Sequence, residues 1–280
     1  MGEFLRPASL GDALAALDQK YWEVLAGGTD FYPARAGRAI AEDVLDISAL
    51  DPLRGIDAGN GAFRIGALVT WTDLSEAALP ACFDGLKLAA REIGGPQVQN
   101  AGTLCGNLCN ASPAADGIPN LLVLDAEVEL QSLEGSRRLS LADFVLGNRR
   151  TARRRNELMT AVYVPKLGPR ARATFAKLGS RRYLVISTAM VAAVVESDSD
   201  GRVADARFAV GACSEVALRL PALEAAVTGL PLDAELADCV TAEHVRALSP
   251  IDDARGSADY RRDAAVTLLR RSLETLGDGH

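Results

Sequence analysis

Histidine is nearly missing from this chain: only His244 and His280 occur in 280 residues. Two cannot build a zinc site together, and histidine-based metal or triad chemistry is set aside. Cysteine is sparse, odd in number and widely spaced, at Cys82, Cys105, Cys109, Cys213 and Cys239. That pattern excludes a disulfide framework and fits reduced thiols in a cytosolic protein. The longest apolar run, Thr188 to Val195, is far short of the roughly 20 residues a spanning helix needs. Met1 to Ser9 holds no apolar stretch that would serve as a signal-peptide core, so a cytoplasmic chain is expected. Basic residues do not predominate, since 30 Lys and Arg face 37 Asp and Glu for a net charge of −7. Nucleic acid is not an expected partner. Also missing are Gly-x-Gly-x-x-Gly and the Walker pattern, which disfavours a Rossmann NAD site or a P-loop NTPase. What remains is a globular composition, 49% hydrophobic and 24% charged, long enough for two ordinary domains or one large one.

Periodicity organises the chain. Ser9 caps a helix in which Leu10, Ala13, Leu14 and Leu17 share a face. Trp22, Val24 and Leu25 read as a short strand running into Ala26-Gly27-Gly28-Thr29-Asp30, and Val44 to Ile47 reads as a second strand. Gly59-Asn60-Gly61 signals a hairpin, and Thr70 with Asp73 signals a capping box. A helix over Leu86 to Ile93 should stop at Gly94-Gly95-Pro96, and Ser112-Pro113 should open the next long one. Five arginines crowd the seven positions from Arg149 to Arg155, a solvated face or a docking surface for an acidic partner. Leu158 to Val164 is a strand ended by Pro165, and a domain boundary falls near 166–172. Beyond it, Ala173 to Lys177, Ser187 to Glu196 and Arg202 to Gly211 are three strands. Helical patterns follow at Pro221 to Val227, Asp233 to Val240 and Asp259 to Leu276.

The chemistry concentrates in two glycine loops, Ala26 to Asp30 and Gly102 to Asn107. Glycine in a turn after a strand exposes converging backbone amides and lets an anion approach closely. Spaced about 75 residues apart, the two loops could cradle the phosphates of one dinucleotide, although either taken singly is equally a tight strand-to-helix turn.

In this order, the loops closely resemble the flavin-binding subunit of the molybdenum hydroxylase family, which includes xanthine dehydrogenases, aldehyde oxidoreductases and carbon monoxide dehydrogenases. The resemblance rests on Arg6-Pro7-Ala8-Ser9, Ala26-Gly27-Gly28-Thr29-Asp30, Ile65-Gly66-Ala67, Gly102-Thr103-Leu104-Cys105-Gly106-Asn107 and Ser112-Pro113-Ala114-Ala115-Asp116. It continues through Glu157 to Pro165, Phe175-x-Lys177 with Ser180-Arg181-Arg182, and Ser257-x-x-Tyr260-Arg261. It implies an α+β fold: two α/β subdomains, about 1–52 and 53–168, forming a PCMH-type FAD-binding domain. A C-terminal domain over 169–280, a three-stranded antiparallel sheet plus a helix bundle, would follow.

It further implies that Leu25, Ala26, Gly27, Gly28, Thr29 and Asp30, with Gly102, Thr103, Leu104, Cys105, Gly106 and Asn107, hold the FAD pyrophosphate and ribityl chain. Asp116 would reach the cofactor's sugar, Ile93, Met159 and Ile186 would supply apolar contacts, and Lys177 would stand near the flavin. No residue of the chain is expected to be catalytic toward an organic substrate or to bind a metal. The implied partners are a [2Fe–2S] small subunit and a molybdopterin-binding large subunit in a dimer of heterotrimers. NAD, quinone, oxygen or ferredoxin would be the electron acceptor. A self-contained FAD oxidoreductase of the same superfamily, or a scaffold that has lost FAD, are the alternatives. Three positions depart from the family pattern: Cys105 for a glycine, Gln99 for an arginine and Val185 for an aspartate. A Cβ at 105 is expected to impede a positive φ there.

Overall fold

The computed structural model describes residues 2–182 and 184–278. The chain opens with β1 (Phe4–Leu5), α1 (Leu10–Gln19), β2 (Glu23–Leu25) and β3 (Val44–Asp46), in a small parallel sheet of order β1-β3-β2. Ser9 caps α1 as its sequence requires, its hydroxyl accepting from the Asp12 amide at 3.1 Å, and Ala13, Leu14, Ala16 and Leu17 are buried.

Next come β4 (Ile56–Ala58), β5 (Ala62–Gly66), α2 (Trp71–Glu76), α3 (Asp84–Glu92), α4 (Pro96–Ala101), α5 (Leu104–Asn110) and α6 (Gly117–Val123). After them follow β6 (Glu127–Ser132), β7 (Gly135–Ser140), α7 (Leu141–Phe144), β8 (Val145–Gly147), β9 (Arg150–Thr151) and β10 (Leu158–Pro165). A five-stranded antiparallel sheet has the order β4-β5-β10-β6-β7, so the last strand of this region fills the middle, with Val162 opposite both Ile65 and Val128. A register shift between Met159 and Ala161 bends β10 at its first residues.

The third sheet holds β11 (Ala171–Leu178), β12 (Ala189–Ser197), β13 (Val203–Gly211) and β14 (Leu218–Arg219) in sequential antiparallel order. α8 (Pro221–Val227) and the long α9 (Ala258–Gly277) complete the chain. β12 explains the longest apolar run. Met190, Ala192 and Val194 join the core that also holds Leu86, Ala89 and Leu121 of α3 and α6, while Ala189, Val191, Ala193 and Val195 join the core built by Leu268, Leu269 and Leu273 of α9. A strand buried on both faces has no reason to alternate.

Four local expectations are corrected. Pro96 opens α4 at its first position instead of merely ending α3. The helix expected from Ser112 begins at Gly117, because Ser112 spends its hydroxyl on a turn with the Ala114 amide at 3.3 Å. The segment 234–239 is a 3-10 helix rather than an α-helix. A two-residue fourth strand, β14, joins the edge of the three expected in the C-terminal sheet. His280 lies outside the described residues.

Candidate functional site: a cleft between two glycine loops

β2 delivers the chain directly into the first loop. Gly28 there adopts φ +70°, the left-handed region that a side chain disfavours, and its carbonyl accepts from the Tyr32 amide at 3.1 Å. Gly27 is required for a different reason. A Cβ at that position would fall 2.6 Å from the carbonyl carbon of Ala101, the last residue of α4, and 3.0 Å from the Cα of Gly102, where the other loop begins. The two loops therefore meet backbone to backbone, and a Cβ on Gly102 would in turn crowd the Thr29 hydroxyl at 3.1 Å.

The second loop is short because helices close on it from both sides. The Gly102 amide donates to Val98 at 2.7 Å, ending α4, and Thr103 caps α5 by accepting from the Gly106 amide at 3.0 Å.

Between the loops lies a cleft of about 590 Å³, within the range typical of cofactor pockets. Leu25, Ala26, Gly27, Gly28, Thr29 and Asp30 form one wall, and Thr103, Cys105, Gly106 and Asn107 form the other. Ile93, Val98, Trp71, Leu158 and Met159 supply an apolar lining, while Tyr21, Arg35, Arg149 and Arg153 supply polar and cationic groups. Tyr21 donates to Glu23 at 2.6 Å, and this bond, with burial, raises its phenol above the ordinary value.

The fold thus brings most of the sequence-derived site residues to one place. Gly102 and Leu104 are buried beside the cleft rather than among its lining residues. Asp116, Lys177 and Ile186 are not in the lining either. Ile186 is exposed. Lys177 Nζ donates to Asp116 at 2.8 Å, and the Ser187 hydroxyl donates to the other carboxylate oxygen at 2.6 Å, in an ion pair buried on both sides. This pair fastens the start of α6 to β11 and to the approach of β12.

Cys105 requires a further correction. It sits inside α5 with its side chain in the core, so no positive φ is demanded of it and the expected strain does not arise. Burial raises its thiol well above the ordinary value. Gln99 donates to the Arg91 and Ile93 carbonyls at 3.0 and 3.1 Å, tying α4 to the end of α3. Sequence reasoning did not place Arg149 and Arg153 in the cleft. The arginine run was visible, but which of its members faced inward was not. Cys109 was also missed as a lining residue; its Sγ lies 3.9 Å from Met159 Sδ.

Among the described residues no cluster of three His, Cys, Asp or Glu side chains could hold a metal. The cleft suits a long, partly anionic and partly planar molecule: amides, hydroxyls and cations around the loops, apolar side chains beyond them. Asn107 Oδ1 is buried without a hydrogen-bond partner, an acceptor awaiting a donor such as a sugar or ribityl hydroxyl. These features fit FAD.

Comparison with known proteins agrees. A family described as the FAD binding domain in molybdopterin dehydrogenase matches residues 1–167, and the CO dehydrogenase flavoprotein C-terminal domain matches residues 174–276. The chain belongs to the FAD-binding subunits of the molybdopterin dehydrogenases.

Within this family it is 31% identical over 278 residues to the nicotine 6-hydroxylase medium subunit of Paenarthrobacter nicotinovorans, covering 98% of this chain and 96% of the relative. It is also 31% identical to the nicotinate dehydrogenase FAD-subunit of Eubacterium barkeri, covering 96% of this chain and 94% of that one. The structure of carbon monoxide dehydrogenase from Hydrogenophaga pseudoflava superposes with a TM-score of 0.87 at 30% identity, over 98% of this chain and 96% of that one. Quinoline 2-oxidoreductase from Pseudomonas putida 86 superposes at 0.90 and 26% identity, over 100% and 98%. As a member of the family, the chain is the FAD-binding component of an oxidoreductase, and its fold is that of the CO dehydrogenase medium chains. Among the described residues no helix is long and apolar enough to cross a membrane.

Proposed function

We propose that this chain is the FAD-carrying medium subunit of a cytoplasmic heterotrimeric molybdenum hydroxylase. A [2Fe–2S] small subunit and a molybdopterin-binding large subunit are its partners, in a dimer of heterotrimers. Electrons pass from the clusters through the FAD of this subunit to an external acceptor: NAD, a quinone, oxygen or ferredoxin. Residues 1–168 carry the cofactor, and 169–280 form the C-terminal domain. The observation that carries the reading is the meeting of Gly27 with Ala101, which turns two loops far apart in sequence into one cleft.

When bound, the flavin takes up and releases electrons; the protein contributes position and electrostatics. The loop from Leu25 to Asp30, with Thr103 and the first turn of α5 at Cys105, Gly106 and Asn107, holds the phosphate and sugar portion. Ile93 and Met159 offer apolar surface to a ring. Asp116 and Lys177 are each engaged by the other, so their contribution is to hold the start of α6 against β11. Tyr21 and Glu23, both in the cleft lining, are hydrogen-bonded to each other.

The test is purification from the native host with identification of the copurifying chains and a visible spectrum. A flavin spectrum with an iron–sulfur chain and a large molybdenum chain supports the proposal. A lone flavinated chain that turns over substrate refutes it in favour of a self-contained enzyme, and a colourless chain with partners refutes it in favour of a scaffold.

A further inference from the structure

Arg149 is the second residue of the two-residue turn that joins β8 to β9. Its φ is +55°, in the left-handed region, although it is not glycine. Its amide donates to the Ala111 carbonyl at 2.9 Å, just past the end of α5. This geometry lays the guanidinium across the cleft mouth, 3.3 and 3.5 Å from the two carboxylate oxygens of Asp30. Both side chains are about half exposed, 59% and 50%. A pair that wet contributes little to stability.

The other two cleft guanidiniums are engaged differently. Arg35 is held by Glu42 at 3.1 Å and by the Phe31 carbonyl at 3.1 Å, and Arg153 donates to the Glu157 carbonyl at 2.8 Å. Asp30, meanwhile, ends the loop whose amides would receive a pyrophosphate, where its negative charge opposes a second anion. Arg149 thus stands at the cleft mouth with a partner that solvent already reaches.

Building on the FAD reading above, we infer that Arg149 is an exchangeable counter-ion: it neutralises Asp30 in the empty cleft and shares its guanidinium with the cofactor's pyrophosphate in the filled one. It thereby selects the phosphorylated cofactor over an unphosphorylated flavin.

The test titrates FAD and riboflavin into the flavin-stripped full chain, following flavin fluorescence at low and at moderate salt. Arg149→Gln should weaken FAD roughly ten- to a hundredfold, the size expected for losing one charge-assisted contact. It should flatten the salt dependence and leave the riboflavin constant within about twofold. Arg149→Lys should recover part of the loss. Adding Asp30→Asn to Arg149→Gln should also recover part of it, because the uncompensated carboxylate is then gone.

Equal weakening of FAD and riboflavin by Arg149→Gln would overturn the inference, since that is the mark of a purely structural role. Additive losses in the double variant would do the same. If the unaltered chain binds FAD and Arg149→Gln binds it as well, the counter-ion role alone fails. If the unaltered chain binds neither flavin, the FAD reading fails and this inference goes with it.

Discussion

Replacing Gly27 with alanine adds one carbon at the point where the cofactor loops touch. The new Cβ would sit 2.6 Å from the Ala101 carbonyl carbon and closer still to its oxygen, against an ordinary contact of about 3.4 Å. Both neighbours are backbone, so no flexible side chain can swing aside, and the loops must part by roughly 1 Å. Overpacking of this kind costs about 1–3 kcal/mol. In a chain of this size that lowers the melting temperature by several degrees. The larger effect should fall on the cofactor. A site whose two walls separate by about an ångström loses simultaneous contact with both, and at least a tenfold weakening of FAD, about 1.4 kcal/mol, is expected. The control is Gly61→Ala, where an added Cβ meets nothing within 4 Å. Calorimetric melting and FAD titration of the two variants decide the matter. If Gly27→Ala melts with the unaltered protein and binds FAD as tightly, contact between the loops does not define the site.

Lys177→Met leaves Asp116 charged and buried with only Ser187 to satisfy it, and should cost about 3–5 kcal/mol in urea denaturation at neutral pH; pairing it with Asp116→Leu should recover much of that loss. Burial alone would raise the Glu157 carboxyl, but Arg137, at 2.6 and 2.9 Å, and the Arg154 amide, at 2.7 Å, outweigh it and hold the group below 4.5. Because the folded value is depressed, its stabilisation is present above 4.5 and is lost as pH falls from there through the folded value; a series of denaturations from pH 7 downward should show this loss begin only below 4.5, and Glu157→Gln should remove that part of it. Burial pushes the Cys213 thiol up to about 11, so mass spectrometry after alkylation near pH 9 should find it unmodified in the folded chain. Cys109, which lines the cleft, should be modified in the flavin-free protein and protected when FAD is added.

What the sequence alone determined is local. Ser9 and Thr70 each precede a helix and cap it, since a hydroxyl three residues ahead of an unpaired amide is a property of adjacent chain. Gly28 marks a left-handed turn for the same reason, and the order of the glycine loops was legible because it is a pattern along the chain. The structure alone decided what depends on residues distant in sequence. Nothing near Gly27 says that its missing Cβ makes room for Ala101, and nothing near Cys105 says that α5 turns the thiol into the core. The arginine run likewise could not reveal which members face the cleft. That choice is made by the Glu157 carbonyl, which accepts from Arg153, and by the bond of the Arg149 amide to the Ala111 carbonyl. Asp116 resembles a sugar-reaching acid by its place in the motif, but only the structure pairs its carboxylate with Lys177 of β11, because a buried charge is satisfied by an opposite one that the fold supplies.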